Sequence, residues 1–161
     1  MNGPVTTKAH LPNPSPRYPG TLLVAVELTE HFNLAEMSRS ETALRRGIEN
    51  VPNAGEIDNL RRLCETLLEP IRALLNVPMH VNSGFRCPAV NLAVGGKGNS
   101  AHLDGRACDF VPVGMSLDHA MGLIKASGLP FDQLILEYGT WIHVSIARVG
   151  VEPRRQVLVI P

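Results

Sequence analysis

The stretch Ser100-Ala-His-Leu-Asp-Gly-Arg-Ala-Cys-Asp109 carries the clearest chemical pattern of the chain. It contains an imidazole at His102 and a carboxylate at Asp109, and both groups are common metal ligands. Gly105 lies between them and lets the backbone turn without a Cβ clash, so a loop ligand and a strand ligand can converge. A catalytic zinc usually has three protein ligands and a water. The stretch therefore predicts part of a metal site and requires a third ligand elsewhere.

A predicted β-hairpin supplies that third ligand. Two β-rich runs, 133–137 and 141–146, flank a Tyr-Gly-Thr turn. Alternation in the second run places Trp141, His143 and Ser145 on one face and aliphatic residues on the other, which suggests that the first face looks into a cleft. His143 completes a set of two histidines and one carboxylate. Such a set suits zinc with an open fourth position for water.

Hydrolysis at a metal also needs a proton acceptor beside the water, and Glu137 is the best candidate. It ends the first run, so its side chain can approach the same point as His143 from a neighbouring strand. The alternative for Glu137 is a charge at a solvent-facing strand end. For Asp109, the alternative to a metal ligand is a capped or salt-bridged carboxylate. A carboxylate within an apolar strand needs a strong partner of some kind to offset its desolvation.

Arg86, in Ser83-Gly-Phe-Arg, is a further candidate functional residue. A guanidinium can hold a carboxylate in a bidentate fork, which a carboxypeptidase needs for the free terminus of its substrate. The alternative is a structural salt bridge, and the sequence alone favours neither.

Hydrophobic periodicity predicts helices and strands around these motifs. Apolar residues from Ile57 to Leu74 recur at steps of three and four, which indicates an amphipathic helix of about five turns. Pro70 removes a backbone donor and should kink this helix near Thr66. Shorter helices are predicted after the caps Asn33, Ser40 and Ser116 and over 89–93. Strands are predicted over 79–82, through Asp109 to an end near Pro112, and over 156–160. The glycine-rich segment 95–99 lacks the context of a phosphate loop.

The composition bounds the class of protein. The 161 residues suffice for one domain, and we expect a Pro-rich extended arm over 1–27 followed by a domain over 28–161. A formal net charge of +0 gives no electrostatic case for binding nucleic acid or an anionic membrane. Three scattered cysteines predict free thiols. The sequence shows no membrane-spanning run and no secretory signal, so we expect synthesis in the cytoplasm and no membrane insertion.

Three motifs resemble those of the zinc D-alanyl-D-alanine carboxypeptidase family, including its phage-borne members. In chain order they are Ser83-Gly-Phe-Arg86-x-Pro88-x-x-Asn91, Ser100-x-His102-x-x-Gly105-x-Ala107-x-Asp109 and Trp141-Ile-His143-Val-Ser145. The wider group contains bacterial cell-wall endopeptidases, D-Ala-D-Ala dipeptidases and the amino-terminal domain of hedgehog proteins. The similarity covers residues 28–146, which is most of the chain.

The resemblance implies a small α+β domain in which an antiparallel sheet with flanking helices carries zinc. Its metal ligands would be His102, Asp109 and His143, and Glu137 would be the base. Arg86 would bind or polarise the substrate. By the same analogy Ser100 would contact the substrate or support the ligands. Trp141 would also lie against the substrate, at a position where several carboxypeptidases carry a histidine.

The implied activity is hydrolysis of peptidoglycan stem peptides, with a D-Ala-D-Ala carboxypeptidase as the first expectation. The rival within the enzyme class is an endopeptidase that cuts between L-alanine and D-glutamate or at a cross-bridge, as in phage lysins. The rival of another class is a phage structural or binding module that keeps the zinc fold without turnover. With no export signal and a cell-wall substrate, the chain would act after release or as a phage component.

Overall fold

A five-stranded sheet organises the molecule. The computed structural model describes residues 26–161, so the predicted arm lies, up to residue 25, outside the described residues. The strands are β1 (Met79–Ser83), β2 (Ala107–Pro112), β3 (Gln133–Glu137), β4 (Trp141–Ser145) and β5 (Gln156–Ile160). Their order in the sheet is β1-β2-β4-β3-β5. Together with the helices, this sheet confirms the predicted α+β fold class.

The last strand departs from the expected antiparallel arrangement. The pairs β1–β2, β2–β4 and β3–β4 are antiparallel, whereas β5 runs parallel to β3. Strand β4 is already flanked by β2 and β3, so the chain that leaves it can extend the sheet only at an edge. Strand β4 ends beside the start of β3, where Ser145 pairs with Gln133. Residues 146–155 cross to the free edge of β3 at that same end, and β5 begins with Gln156 beside Gln133, so it runs in the direction of β3.

Short helices flank the sheet. The helices are α1 (Leu34–Ser38), α2 (Glu41–Arg46), α3 (Ala54–Leu63), α4 (Glu69–Leu75), α5 (Pro88–Ala93) and α6 (Leu117–Ala126), with a 3-10 turn over Ala101–Asp104. The predicted caps Asn33, Ser40 and Ser116 are confirmed, because each side chain accepts a backbone N–H from the first turn of its helix.

The long amphipathic helix begins earlier than its apolar pattern and is interrupted. Asn53 caps α3 in a capping box with Glu56, so the helix starts at Ala54 rather than Ile57. A π-helical segment, Cys64–Leu68, separates α3 from α4. Since Pro70 has no N–H to donate to the carbonyl of Thr66, the regular ladder cannot continue there. The disturbance predicted near Thr66 therefore takes the form of a π-helical segment.

The two faces of the sheet have different chemistry. One face is aliphatic and packs against the long helix, with fully buried residues on both sides of the contact, among them Leu60, Leu67, Ile71, Phe110, Leu134, Ile142 and Val144. The opposite face carries Asp109, His143 and Trp141, as the alternation along β4 predicts. The core thus fixes the register that places the polar residues together.

The predictions of free thiols and of no membrane-spanning helix are both met in the described part of the chain. Cys64, Cys87 and Cys108 are free. Burial raises the pKa of the Cys64 thiol to about 12 and that of Cys108 well above its usual range, so both stay protonated. Among residues 26–161, no helix has the length and apolarity needed to cross a bilayer.

Candidate metal centre

Three predicted ligands meet on the polar face of the sheet. Asp109 on β2 lies directly opposite His143 on the neighbouring strand β4. His102 reaches them from the 3-10 turn that precedes β2. All three residues are buried, and one ligand atom from each lies within 4.8 Å of the other two. The structure therefore brings together the residues that the sequence pattern singled out.

The ligand atoms form a compact triangle. His102 Nε2 lies 3.1 Å from Asp109 Oδ1 and 3.2 Å from His143 Nδ1, and His143 Nδ1 lies 2.8 Å from Asp109 Oδ1. Tetrahedral zinc with bonds of about 2.0–2.1 Å separates its ligand atoms by about 3.3–3.4 Å. The observed triangle is slightly smaller than this, so a small outward adjustment would admit the ion.

Hydrogen bonding fixes which nitrogen of His102 faces the triangle. Its Nδ1 lies 2.6 Å from the carbonyl oxygen of Gly84. Because a carbonyl only accepts, Nδ1 carries the proton and Nε2 presents a lone pair to Asp109 and His143. Burial lowers the pKa of His102, against the opposing effect of Asp109. The neutral imidazole that results is the form that binds a metal.

Asp109 is held as a carboxylate. Burial alone would raise the pKa of its carboxyl group, but interactions with His102 and His143 outweigh burial and place the pKa well below its usual range. The second oxygen, Oδ2, forms an ion pair with Arg86. Several partners thus offset the desolvation of this buried carboxylate.

Arg86 forms the ion pair that the sequence left open as an alternative to substrate binding. One terminal nitrogen pairs with Asp109, and Nε donates to Ser83 Oγ at 2.8 Å. The side chain is 16% exposed and lines an open groove over the three ligands. Part of the Arg86 guanidinium is therefore already bonded within the protein. Because Arg86 pairs with Oδ2, the other oxygen of Asp109, Oδ1, is the one that faces the two histidines.

The loop that carries Arg86 is positioned by groups that the sequence pattern did not reveal. Gly84 packs against the main chain of Met37 so closely that a Cβ would collide with its carbonyl. The Asn50 amide donates to the carbonyls of Ser38 (2.8 Å) and Phe85 (3.0 Å), and its oxygen accepts from the N–H of Cys87 (2.8 Å). Asn50 lies 35 residues before Phe85, so no local spacing in the sequence indicates this role.

Glu137 and Trp141 lie beside the ligands rather than in contact with them. They face each other across β3 and β4, two pairs along the ladder from Ile135–His143 and therefore on the same face of the sheet. Glu137 and His143 are thus diagonal neighbours on one face, roughly 7–8 Å apart in such ladders. Within residues 26–161, the Glu137 carboxylate accepts no hydrogen bond, and the buried Trp141 Nε1 has no partner. The ring of Trp141 stands edge-on to Tyr138, with 5.6 Å between centroids.

Ser100 stabilises the 3-10 turn that carries the ligand His102. It caps the 3-10 turn, and its Oγ accepts from the N–H of His102 at 3.4 Å. Its side chain also borders the groove. This position is compatible with both roles that the resemblance implies, namely support of the ligands and contact with a substrate.

An open groove of about 1080 Å³ lies over the three ligands. It extends from the ligands across Ile135 on β3 to Leu158 on the edge strand β5. Glu137 and Trp141 line the same groove. A buried triangle of ligand atoms at the floor of a long open groove is suited to an extended substrate that passes over a metal ion.

Comparison with known protein families gives one finding. The family model described as Peptidase M15 matches residues 30–145, which include the three ligands, Arg86 and Glu137. No curated protein matches the sequence.

Proposed function

Because the chain belongs to the peptidase M15 family, which indicates a metallopeptidase of peptidoglycan, we propose that it is a zinc enzyme that hydrolyses stem peptides. The observation that carries this proposal is the triangle of His102 Nε2, Asp109 Oδ1 and His143 Nδ1 at the floor of an open groove. The donor set of two imidazoles and one carboxylate is that of catalytic zinc.

Each residue has a separate task in the proposed reaction. The three ligands would hold a zinc ion, whose Lewis acidity would lower the pKa of a water to about 7 and polarise a carbonyl. Glu137 accepts a proton from the attacking water at its carboxylate and returns it to the leaving amine. Arg86 keeps Asp109 oriented through the ion pair.

We propose release of a terminal D-alanine as the first activity to test, because the motifs resemble those of D-Ala-D-Ala carboxypeptidases. A second candidate, cleavage inside the stem peptide, is favoured by two observations. The groove continues past the ligands to the edge strand, and Arg86 already uses part of its fork on Asp109. An internal bond needs room on both sides and no clamp for a terminal carboxylate.

The test is digestion of purified muropeptides with and without a chelator, followed by mass spectrometry. Loss of one terminal D-alanine identifies a carboxypeptidase, and two larger fragments identify an endopeptidase. Either activity should disappear with the chelator and return with zinc. Zinc binding without cleavage of any muropeptide would contradict the enzyme proposal and favour a non-catalytic zinc module.

A further inference from the structure

The positively charged side chains that line the groove differ in whether a carboxylate of the protein neutralises them. Four arginines line it, and each is paired with a carboxylate: Arg86 with Asp109, Arg106 and Arg148 with Asp104, and Arg154 with Asp132. Lys97 also lines the groove, where its side chain is exposed, and its ammonium has no carboxylate within 4 Å among residues 26–161. It is therefore the lysine or arginine of the described groove wall whose charge is not neutralised by the protein itself.

The backbone of Lys97 is fixed close to the ligand turn. Its carbonyl accepts from the buried Asn91 side chain and from the N–H of Ser100, both at 3.0 Å. The preceding residue, Gly96, donates to the carbonyl of Asn91 at 2.8 Å, and a Cβ at Gly96 would collide with the Asn91 side chain. Ser100 in turn caps the turn that carries His102. The Lys97 backbone is thus held in place beside the ligand turn, so a ligand that binds the ammonium does not have to order this part of the loop.

We propose that Lys97 binds a carboxylate of the substrate and is a specificity-determining residue of the groove. This inference rests on the proposed function. The engaged fork of Arg86 leaves Lys97 as the cation best placed to receive an anionic group. A stem peptide offers two such groups, the terminal carboxylate and the α-carboxylate of its γ-linked D-glutamate. Both present the same chemistry to an ammonium, and the experiment separates them.

The experiment compares one synthetic stem pentapeptide with two analogues, one amidated at the terminus and one amidated at the D-glutamate. The variants are Lys97→Met, which keeps the length of the side chain without its charge, and Lys97→Arg, which keeps the charge. Lys125→Met on α6 is the matched control, since Lys125 is exposed and does not line the groove. Zinc content and thermal melting are measured for every variant.

We expect Lys97→Met to raise KM about tenfold for the unmodified peptide, with kcat and zinc content little changed. The effect should vanish on whichever analogue lacks the recognised carboxylate, which identifies that group. Lys97→Arg should retain most of the affinity, and Lys125→Met all of it. Equal effects of Lys97→Met on all three peptides would overturn the proposal.

Failure of the proposed function can be distinguished from failure of this inference. If the wild type cleaves none of the three peptides, their binding to the zinc-loaded protein is measured by calorimetry. A preference for one carboxylate that Lys97→Met abolishes would support the role of Lys97 in binding without turnover. Equal affinity for the acid and amide forms would overturn it.

Discussion

The two sides of the groove are built differently. On the ligand side, His102 and Asp109 each have a partner outside the triangle, the carbonyl of Gly84 and the guanidinium of Arg86. On the hairpin side, Glu137 and Trp141 present polar atoms without partners in the described chain. The ligand side is organised before any substrate arrives, whereas on the hairpin side the Glu137 carboxylate has no hydrogen-bond partner within residues 26–161 and can accept a proton from a water. Metal retention and turnover should therefore respond to different substitutions.

The largest effect should follow from a change on the ligand side. We expect His102→Ala to abolish zinc retention and turnover together, because it removes one of three ligand atoms and the link to the Gly84 carbonyl. Zinc content after dialysis and muropeptide hydrolysis are the two measurements. His119→Ala is the matched control, since His119 lies exposed on α6. A variant that keeps stoichiometric zinc would show that His102 is not a ligand.

The second-largest effect should follow from a change on the hairpin side, and it should lower turnover without lowering zinc content. Glu137→Gln should lower kcat by roughly 10²–10⁴-fold, the usual contribution of a general base, and should leave zinc content unchanged. The amide keeps the size of the side chain, so folding is not expected to change. Undiminished hydrolysis by this variant would remove Glu137 from the mechanism, whereas loss of zinc would make it part of the ligand side.

A smaller effect tests whether Arg86 acts mainly through Asp109. We expect Arg86→Gln to weaken zinc binding by about 10–100-fold, the usual cost of losing a partner that orients a ligand. Arg86→Lys should recover part of this, because an ammonium can still pair with Asp109 but cannot also bond Ser83 as Nε does. Competition with a chromogenic chelator gives both affinities. Unchanged zinc affinity together with a higher KM would instead assign Arg86 to the substrate.

The sequence predicts the metal ligands more completely than the residues that hold them in place. The ligands lie in short motifs, whereas the residues that hold them are distant in sequence. His102, Asp109 and His143 are chemically distinctive residues in short motifs, and alternation alone places His143 on the polar face. The parallel placement of β5 depends on which sheet edge is free, and that is a property of the assembled sheet.

The supports of the ligand loop depend on long-range contacts with backbone atoms. Asn50 holds the loop that contains Phe85 through main-chain carbonyls, and any residue type supplies a carbonyl. The Gly84 carbonyl that orients His102 lies 18 residues before it. Arg86 is distinctive, but its two possible partners, a substrate carboxylate and Asp109, are chemically alike. Only the fold decides that Asp109 is in reach.

The ion pair between Asp132 and Arg154 stabilises the hairpin side, and its loss should give the smallest effect of the four. Asp132, directly before β3, accepts from Arg154 Nε at 3.1 Å, from its terminal nitrogen at 2.6 Å and from its backbone N–H at 2.9 Å. These hydrogen bonds outweigh burial and lower the pKa of Asp132. This ion pair ties the loop after β4 to the start of β3, at the end of that strand opposite Glu137.

A carboxyl group whose pKa is lowered by folding stabilises the protein above its unfolded pKa of about 3.9, and this stabilisation is lost as the pH falls through the lower folded value. We therefore expect Asp132→Asn to cost about 1 kcal/mol near neutral pH, or about 2–4 °C in Tm. The difference from the wild type should shrink as the pH falls below about 4. Thermal melting from pH 7 to pH 3 measures it, with zinc content as the readout of the ligand side. A Tm difference that stays constant over this range would show that the charge of Asp132 does not stabilise the hairpin side. Loss of zinc from Asp132→Asn at neutral pH would show that the two sides of the groove are not independent.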